Sequence, residues 1–293
     1  MGKHCILHQL RSLNDETRSR LPGSFVRLAR GFVHYELSGP EDGPVVVLVG
    51  GFSVPYSTWD RNAPALASAG FRVLRYDHYG RGYSDRPRVG YSLDFFVEQL
   101  AELVDGLGLP RPLGLVGLSM GGPVVAAASR YPGLVSSLAL VDPLFDWPTP
   151  VGASRFLLLP CLGDALMALY GRAILAQAQR GDFSKEDEFA AFLPSYLPQF
   201  SYRGIGRAVL QTMRGMPSWP LAETFSALGR SGIPTLLCWG RLDATLPFEQ
   251  SSRLCACVPQ TEFIPIEDAG HVPHWEKADE VNAALIGFFG HPN

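Results

Sequence analysis

The run Val45 to Val49 consists of valine and leucine alone, with no polar residue at alternate positions. A strand of that texture has to be buried on both faces. It belongs inside a parallel sheet covered by helices, not at a half-solvated surface. Similar apolar runs return at Phe71 to Tyr76, Leu113 to Leu118, Ser137 to Val141, Thr235 to Trp239 and Glu262 to Ile266. Helical patterns separate them. Leu93, Phe96, Val97, Leu100, Val104 and Leu107 recur at helical spacing behind a capping Ser92, and Val281, Leu285 and Phe288 do so near the end. Strand and helix alternating in this way predict an α/β fold, a mostly parallel sheet with helices on both faces. Ahead of it, Ser24 to Leu28 and Phe32 to Leu37 flank Ala29-Arg30-Gly31, the signature of a hairpin.

The alternation stops between about Phe145 and Arg230. That stretch has helical patterns but no strand, and prolines at 148, 150, 160, 194, 198, 217 and 220 cut it into short pieces. It is rich in aromatics and methionine, among them Trp147, Met167, Phe192, Tyr196, Met213 and Trp219. Most of these side chains should pack the segment down, and the few facing what lies beneath should make an apolar surface. The expected organisation is an N-terminal arm (1–23), a core (24–144 and 231–293) and a helical cap inserted between two core strands (145–230).

Composition closes off several function classes. Of 293 residues 46% are hydrophobic and 18% charged, with a formal net charge of -3, so no overall basic field favours nucleic acid. The arginines near the start (Arg11, Arg18, Arg20, Arg27, Arg30) are interrupted by Asp15 and Glu16 and read as a solvated arm. Five scattered cysteines do not make a disulfide framework, and Cys255 and Cys257 lack the neighbours of a zinc site. Reduced thiols and a cytoplasmic location follow, with neither metal nor organic cofactor expected. The N-terminus lacks a signal-peptide pattern, and Ile6 breaks the myristoylation pattern that begins at Gly2. No stretch approaches the roughly 20 apolar residues of a membrane span. The most apolar candidate, Phe156 to Leu169, is broken by Pro160, Gly163 and Asp164.

Chemistry concentrates at Gly117-Leu118-Ser119-Met120-Gly121, which closes one apolar run and opens the small-residue stretch Gly122 to Ser129. This is G-x-S-x-G in the setting of strand, sharp turn and helix. Such a turn strains the serine backbone, leaves no room for side chains at Gly117 or Gly121, and places the Met120 N–H where a developing oxyanion would sit. A serine hydroxyl needs a base to take its proton. His271, in Asp268-Ala269-Gly270-His271 after the last apolar run, is the preferred base, because the preceding glycine allows a close approach; His274 competes with it. Of the other histidines, His34 falls in the hairpin and His78 in a loop able to line a site. Asp243 follows the run ending at Trp239 and is the preferred acid, with Asp142 the competitor, or a turn residue before Pro143. The order Ser119, Asp243, His271 is that of an α/β-hydrolase triad.

From Phe25 to Phe289 the chain resembles the α/β-hydrolase superfamily. Val45 to Phe52 is similar to that family's oxyanion strand and loop, Tyr76 to Pro87 to its Asp-x-x-Gly-x-Gly-x-Ser loop, and Asp268 to Pro273 to its histidine loop. The resemblance implies an eight-stranded sheet, a helical lid after the strand ending near Val141, and the Phe52 N–H as second oxyanion donor. Gly50-Gly51 departs from the family's usual His-Gly, whose His braces the oxyanion loop; the change opens room there for part of a substrate. Haloalkane dehalogenases and epoxide hydrolases are similar too, but need a carboxylate where Ser119 stands.

These features together lead to the expectation of a serine hydrolase acting on a small, apolar ester. Carbon–carbon cleavage, enol-lactone opening or perhydrolysis by the same residues is the alternative, since specificity lies in the pocket. A non-catalytic ligand receptor on the same fold rests on the Gly50 departure alone.

Overall fold

The computed structural model describes residues 10–147 and 152–290, with the backbone alone at 152–154. His4, Cys5, His8, Pro148, Pro150 and His291 lie outside the described residues.

Eight strands form one sheet: β1 (Ser24–Leu28), β2 (Gly31–Ser38), β3 (Val45–Val49), β4 (Arg72–Tyr76), β5 (Leu113–Leu118), β6 (Val135–Val141), β7 (Thr235–Gly240) and β8 (Thr261–Ile266). Their order is β1-β2-β4-β3-β5-β6-β7-β8. β2 runs antiparallel to β1 and β4, and every other pairing is parallel. The hairpin therefore forms one edge of the sheet. Every residue of β3, β5 and β7 is buried, as their unbroken apolar texture requires. β8, at the other edge, is only partly covered and leaves Glu262 exposed.

Helices are α1 (Asp15–Arg18), α2 (Ala63–Ser68), α3 (Leu93–Gly106), α4 (Gly121–Ala128), α5 (Leu162–Gly181), α6 (Glu186–Tyr196), α7 (Ile205–Gly215), α8 (Leu221–Ser231), α9 (Gln250–Cys257), α10 (Pro273–Glu276) and α11 (Ala278–Gly290). Strand alternation splits the core between two faces. Val45, Val47 and Val49 pack with α3, α4 and α8, while Val46 and Leu48 pack with α2 and α11. The Ser92 hydroxyl accepts from the Phe95 N–H at 3.2 Å and starts α3.

Between β6 and β7 the chain makes no strand among its described residues. It runs through α5 to α8, joined by short 3-10 turns. Phe225 and Leu228 of α8 return to the core beside α4, whereas α5 and α7 stand over the strand ends. Of the expected solvated arm, residues 10–23 are described; Arg20 is exposed, but part of this stretch is docked. The Arg11 N–H donates to the Ser201 carbonyl at 2.9 Å, and Arg18 pairs with Asp85 at 2.6 Å while lying over the Phe32 ring.

β3 is flanked by β4 and β5, so the chain leaves β3 toward one side and later returns to the other. The loops leaving β3 and β5 diverge there and open a crevice at the strands' carboxyl ends, where open α/β sheets place their ligands.

Candidate active site

Ser119 occupies the turn leaving β5 with φ at 50°, in the left-handed region that costs a side-chain-bearing residue ~1 kcal/mol or more. The strain is held from both sides. Its N–H donates to the Val141 carbonyl, and its own carbonyl accepts from Gly122 and Leu144, all at 2.9 Å. A Cβ on Gly117 would lie 2.5 Å from the Gly121 oxygen, and one on Gly121 would lie 2.5 Å from the Val49 oxygen. Both contacts are to backbone that cannot swing aside, so the motif's glycines are required sterically.

His271 and Asp243 come to Ser119 from loops following β8 and β7. The His271 Nε2 lies 2.9 Å from the Ser119 Oγ, and its Nδ1 lies 2.8 Å from the Asp243 Oδ2. The other Asp243 oxygen accepts from the Thr245 and Leu246 N–H groups, each at 2.8 Å, which fixes the carboxylate. His271 itself is anchored through its N–H to the Asp182 carbonyl at 2.8 Å. The competing histidines go elsewhere. His274 is buried beside Thr58 and the Trp59 ring, and burial pushes it down to about 3. His34 is bonded between Asp77 and the Pro22 carbonyl, 2.7 Å from each.

Asp142, the competing acid, lies alongside and does not touch Ser119 or His271 by any hydrogen bond. Its Oδ1 accepts from the Gly240 N–H at 3.0 Å; its Oδ2 is buried without a hydrogen-bond partner among the described residues. Burial and the neighbouring Asp243 carboxyl raise Asp142 well above the usual carboxylate range. Asp243 feels burial too, but the His271 imidazole and its hydrogen bonds more than offset it and leave it lowered. A neutral Asp142 beside an ionised Asp243 is the state two adjacent buried carboxyls adopt. Asp142, Asp243 and His271 are also the cluster whose ligand atoms are close enough for a metal, within 4.8 Å of one another. The His271–Asp243 hydrogen bond accounts for the proximity of two of the three.

The loop after β3 lies against Ser119; a Cβ on Gly51 would sit 3.5 Å from the Ser119 Cβ. Among the described residues, no acceptor pairs with the Phe52 or Met120 N–H. Two side chains of the loop after β4 hold this loop. His78, held neutral chiefly by burial, donates from Nε2 to the Gly50 carbonyl at 3.1 Å, and Arg81 Nε donates to the Phe52 carbonyl at 2.7 Å. Gly50 does not line the cavity, so the expectation that it makes room for substrate is not met; Gly51 does line it.

That cavity measures about 340 Å³ and has Ser119 and His271 in its wall. Leu157, Met167, Leu175, Leu210 and Met213 are part of its apolar lining, with Phe52, Val54 and Val272 from the sheet's loops. Most of the predicted aromatics turn inward to pack: Phe192, Tyr196, Phe200 and Trp219 are buried, whereas Phe156 and Tyr170 face outward. One polar corner remains, where Thr245 Oγ1 and Gln179 Nε2 each donate to Asp182 at 2.6 Å.

The alpha/beta hydrolase family's sequence profile matches residues 46–284. The chain belongs to that family. It is 29% identical over 247 residues to Lipase 3 of Moraxella sp., covering 81% of this chain and 75% of the relative. It is also 29% identical over 274 residues to a 2-hydroxy-6-oxononadienedioate/2-hydroxy-6-oxononatrienedioate hydrolase of Paraburkholderia phymatum, covering 88% of this chain and 91% of that one. A thermophilic esterase from Thermogutta terrifontis shares the fold, with a TM-score of 0.76 and 24% identity across 91% of this chain and 98% of the esterase. In this alpha/beta hydrolase no helix among the described residues is long and apolar enough to cross a membrane. The described cysteines, Cys161, Cys238, Cys255 and Cys257, are unpaired. Arg81 and Asp182 were not singled out from the sequence: Arg81 falls in the Tyr76–Pro87 loop and Asp182 in the expected cap, and nothing local marks either side chain.

Proposed function

We propose that this chain is a serine hydrolase cleaving small, largely uncharged carboxylic esters. The observation that carries the reading is the relay from Ser119 through His271 to Asp243, two hydrogen bonds of 2.9 and 2.8 Å, opening on an apolar cavity. Ser119 attacks the ester carbonyl as His271 Nε2 takes its proton, and Asp243 holds the tautomer and stabilises the imidazolium. The Phe52 and Met120 N–H groups receive the oxyanion. His271 then protonates the leaving alcohol, and water activated by the same imidazole releases the acid. Ester and water thus balance to acid and alcohol, with no further reactant. The segment 145–230 acts as a cap that screens the acyl-enzyme from bulk water.

The cavity's charge favours neutral substrates. Its described lining has no lysine or arginine, and the Asp182 side chain contributes a carboxyl. A dianion such as the dienedioate in the Paraburkholderia relative's name would meet no cation there, so carbon–carbon cleavage of such compounds is the less supported reading. With p-nitrophenyl butyrate as substrate, kcat/KM should exceed that for a p-nitrophenyl ester bearing a free carboxylate by about tenfold or more. Equal or reversed preference contradicts the substrate class.

A further inference from the structure

Arg81 is fully buried, yet its guanidinium has no carboxylate partner within ion-pair distance among the described residues. An unpaired buried cation is costly and is retained where something else uses it. Burial pulls Arg81 down only to about 10, so it stays charged at neutral pH.

Its contacts converge on the two residues that bear the oxyanion donors. Nε donates to the Phe52 carbonyl at 2.7 Å, and one terminal nitrogen lies 4.0 Å from the Met120 Sδ. That same nitrogen donates to the Thr212 Oγ1 on α7 at 3.0 Å, while the Thr212 hydroxyl donates to the Ala208 carbonyl. The other terminal nitrogen donates to the Tyr79 carbonyl at 3.3 Å. The guanidinium plane is enclosed by the Phe52, Phe96 and Tyr91 rings at 5.7, 5.3 and 5.9 Å. A planar fork holds its donors in fixed directions toward three elements, a geometry that a rotatable ammonium does not impose.

We propose that Arg81 is the positioning residue of the oxyanion site, its buried guanidinium locking the Phe52 loop against Met120 and tying both to helix α7 of the cap. This rests on the reading of Ser119 as nucleophile and of the Phe52 and Met120 N–H groups as oxyanion donors. Its positive charge also biases the neighbourhood toward the negative tetrahedral intermediate rather than the neutral ester.

The test is Arg81→Met, which keeps the stem's volume and removes fork and charge, beside Arg81→Lys, which keeps charge without the fork. For p-nitrophenyl butyrate, R81M should lose about thirtyfold or more in kcat with KM changed less than about threefold. Affinity for an alkyl boronic acid, which becomes an anionic tetrahedral adduct on Ser119, should fall by the same factor as kcat. R81K should fall between R81M and the parent, and it carries the test alone if R81M does not fold. A folded variant with kcat within threefold of the parent overturns the proposal, as does a loss confined to KM. Fluorophosphonate labelling of the parent separates the two claims. An unlabelled parent defeats the Ser119 reading; a labelled parent with an unimpaired R81M or R81K defeats the role of Arg81 alone.

Discussion

Proton transfer from Ser119 requires a neutral His271, and two carboxyls decide when that form appears. Burial alone would lower His271, but the charge and hydrogen bond of Asp243, with the charge of Asp182 added, lift it to about 9. The acidic limb of kcat/KM should therefore have its midpoint above the ordinary imidazole value of about 6.5, with rate still rising toward pH 9. Asp182→Asn should move that midpoint down. Stability runs the opposite way. A raised histidine contributes stability that is fully present below about pH 6.5 and lost as pH rises through the folded value near 9. Urea unfolding across this range should show the loss in the parent and not in His271→Gln. A kcat/KM midpoint at or below 6.5 contradicts the account. At this scale the meeting of Ser119, Asp243 and His271 was legible because each follows an apolar run, and strand ends are where the following loops gather. Asp182 was not, since its reach to His271 depends on how the segment between β6 and β7 folds back.

At the scale of elements, the turn between α5 and α6 is fastened to the histidine loop by Glu276 of α10. One Glu276 oxygen accepts from the Ser184 N–H, the Ser184 hydroxyl and the Lys185 N–H at 2.9, 2.8 and 3.1 Å. The other accepts from the Gly270 N–H at 2.6 Å. Glu276→Ala strands the buried Gly270 N–H, while the exposed Ser184 and Lys185 donors can turn to water, and should lower unfolding free energy by about 1–3 kcal/mol. Because Gly270 precedes His271, kcat should fall about tenfold as well. Glu276→Gln, which keeps both acceptor and shape in part, should lose less of each. Unaltered stability and kcat in a folded E276A would show that the latch positions nothing. The strands and their hairpin were legible to within a residue or two because burial dictates their texture. The inward surface of α5 to α7 was not. That most aromatics between β6 and β7 pack down could be expected, but not which side chains meet a cavity, and the lining there includes Met167, Met213 and several leucines.

For the molecule as a whole, the position of β3 between β4 and β5 turns a local motif into a site. It sets the Ser119 turn beside the Phe52 loop at the point where the chain's connections diverge. The mostly parallel sheet could be read from alternating texture, and the helical insertion from the stretch where that alternation stops. The bracing of the oxyanion loop could not, because Arg81 meets Thr212 across 131 residues of sequence and pairs with no acidic neighbour that would have announced it. Gly50 thus marks a loop supported from a different direction, by His78 and Arg81. The central claim is that Ser119 forms the acyl-enzyme. Brief treatment with a fluorophosphonate, followed by peptide mass spectrometry, reads it directly. The account predicts one adduct, on Ser119, formed in step with loss of esterase activity and absent in Ser119→Ala. Full esterase activity with Ser119 unmodified, or equal activity in Ser119→Ala, would contradict it.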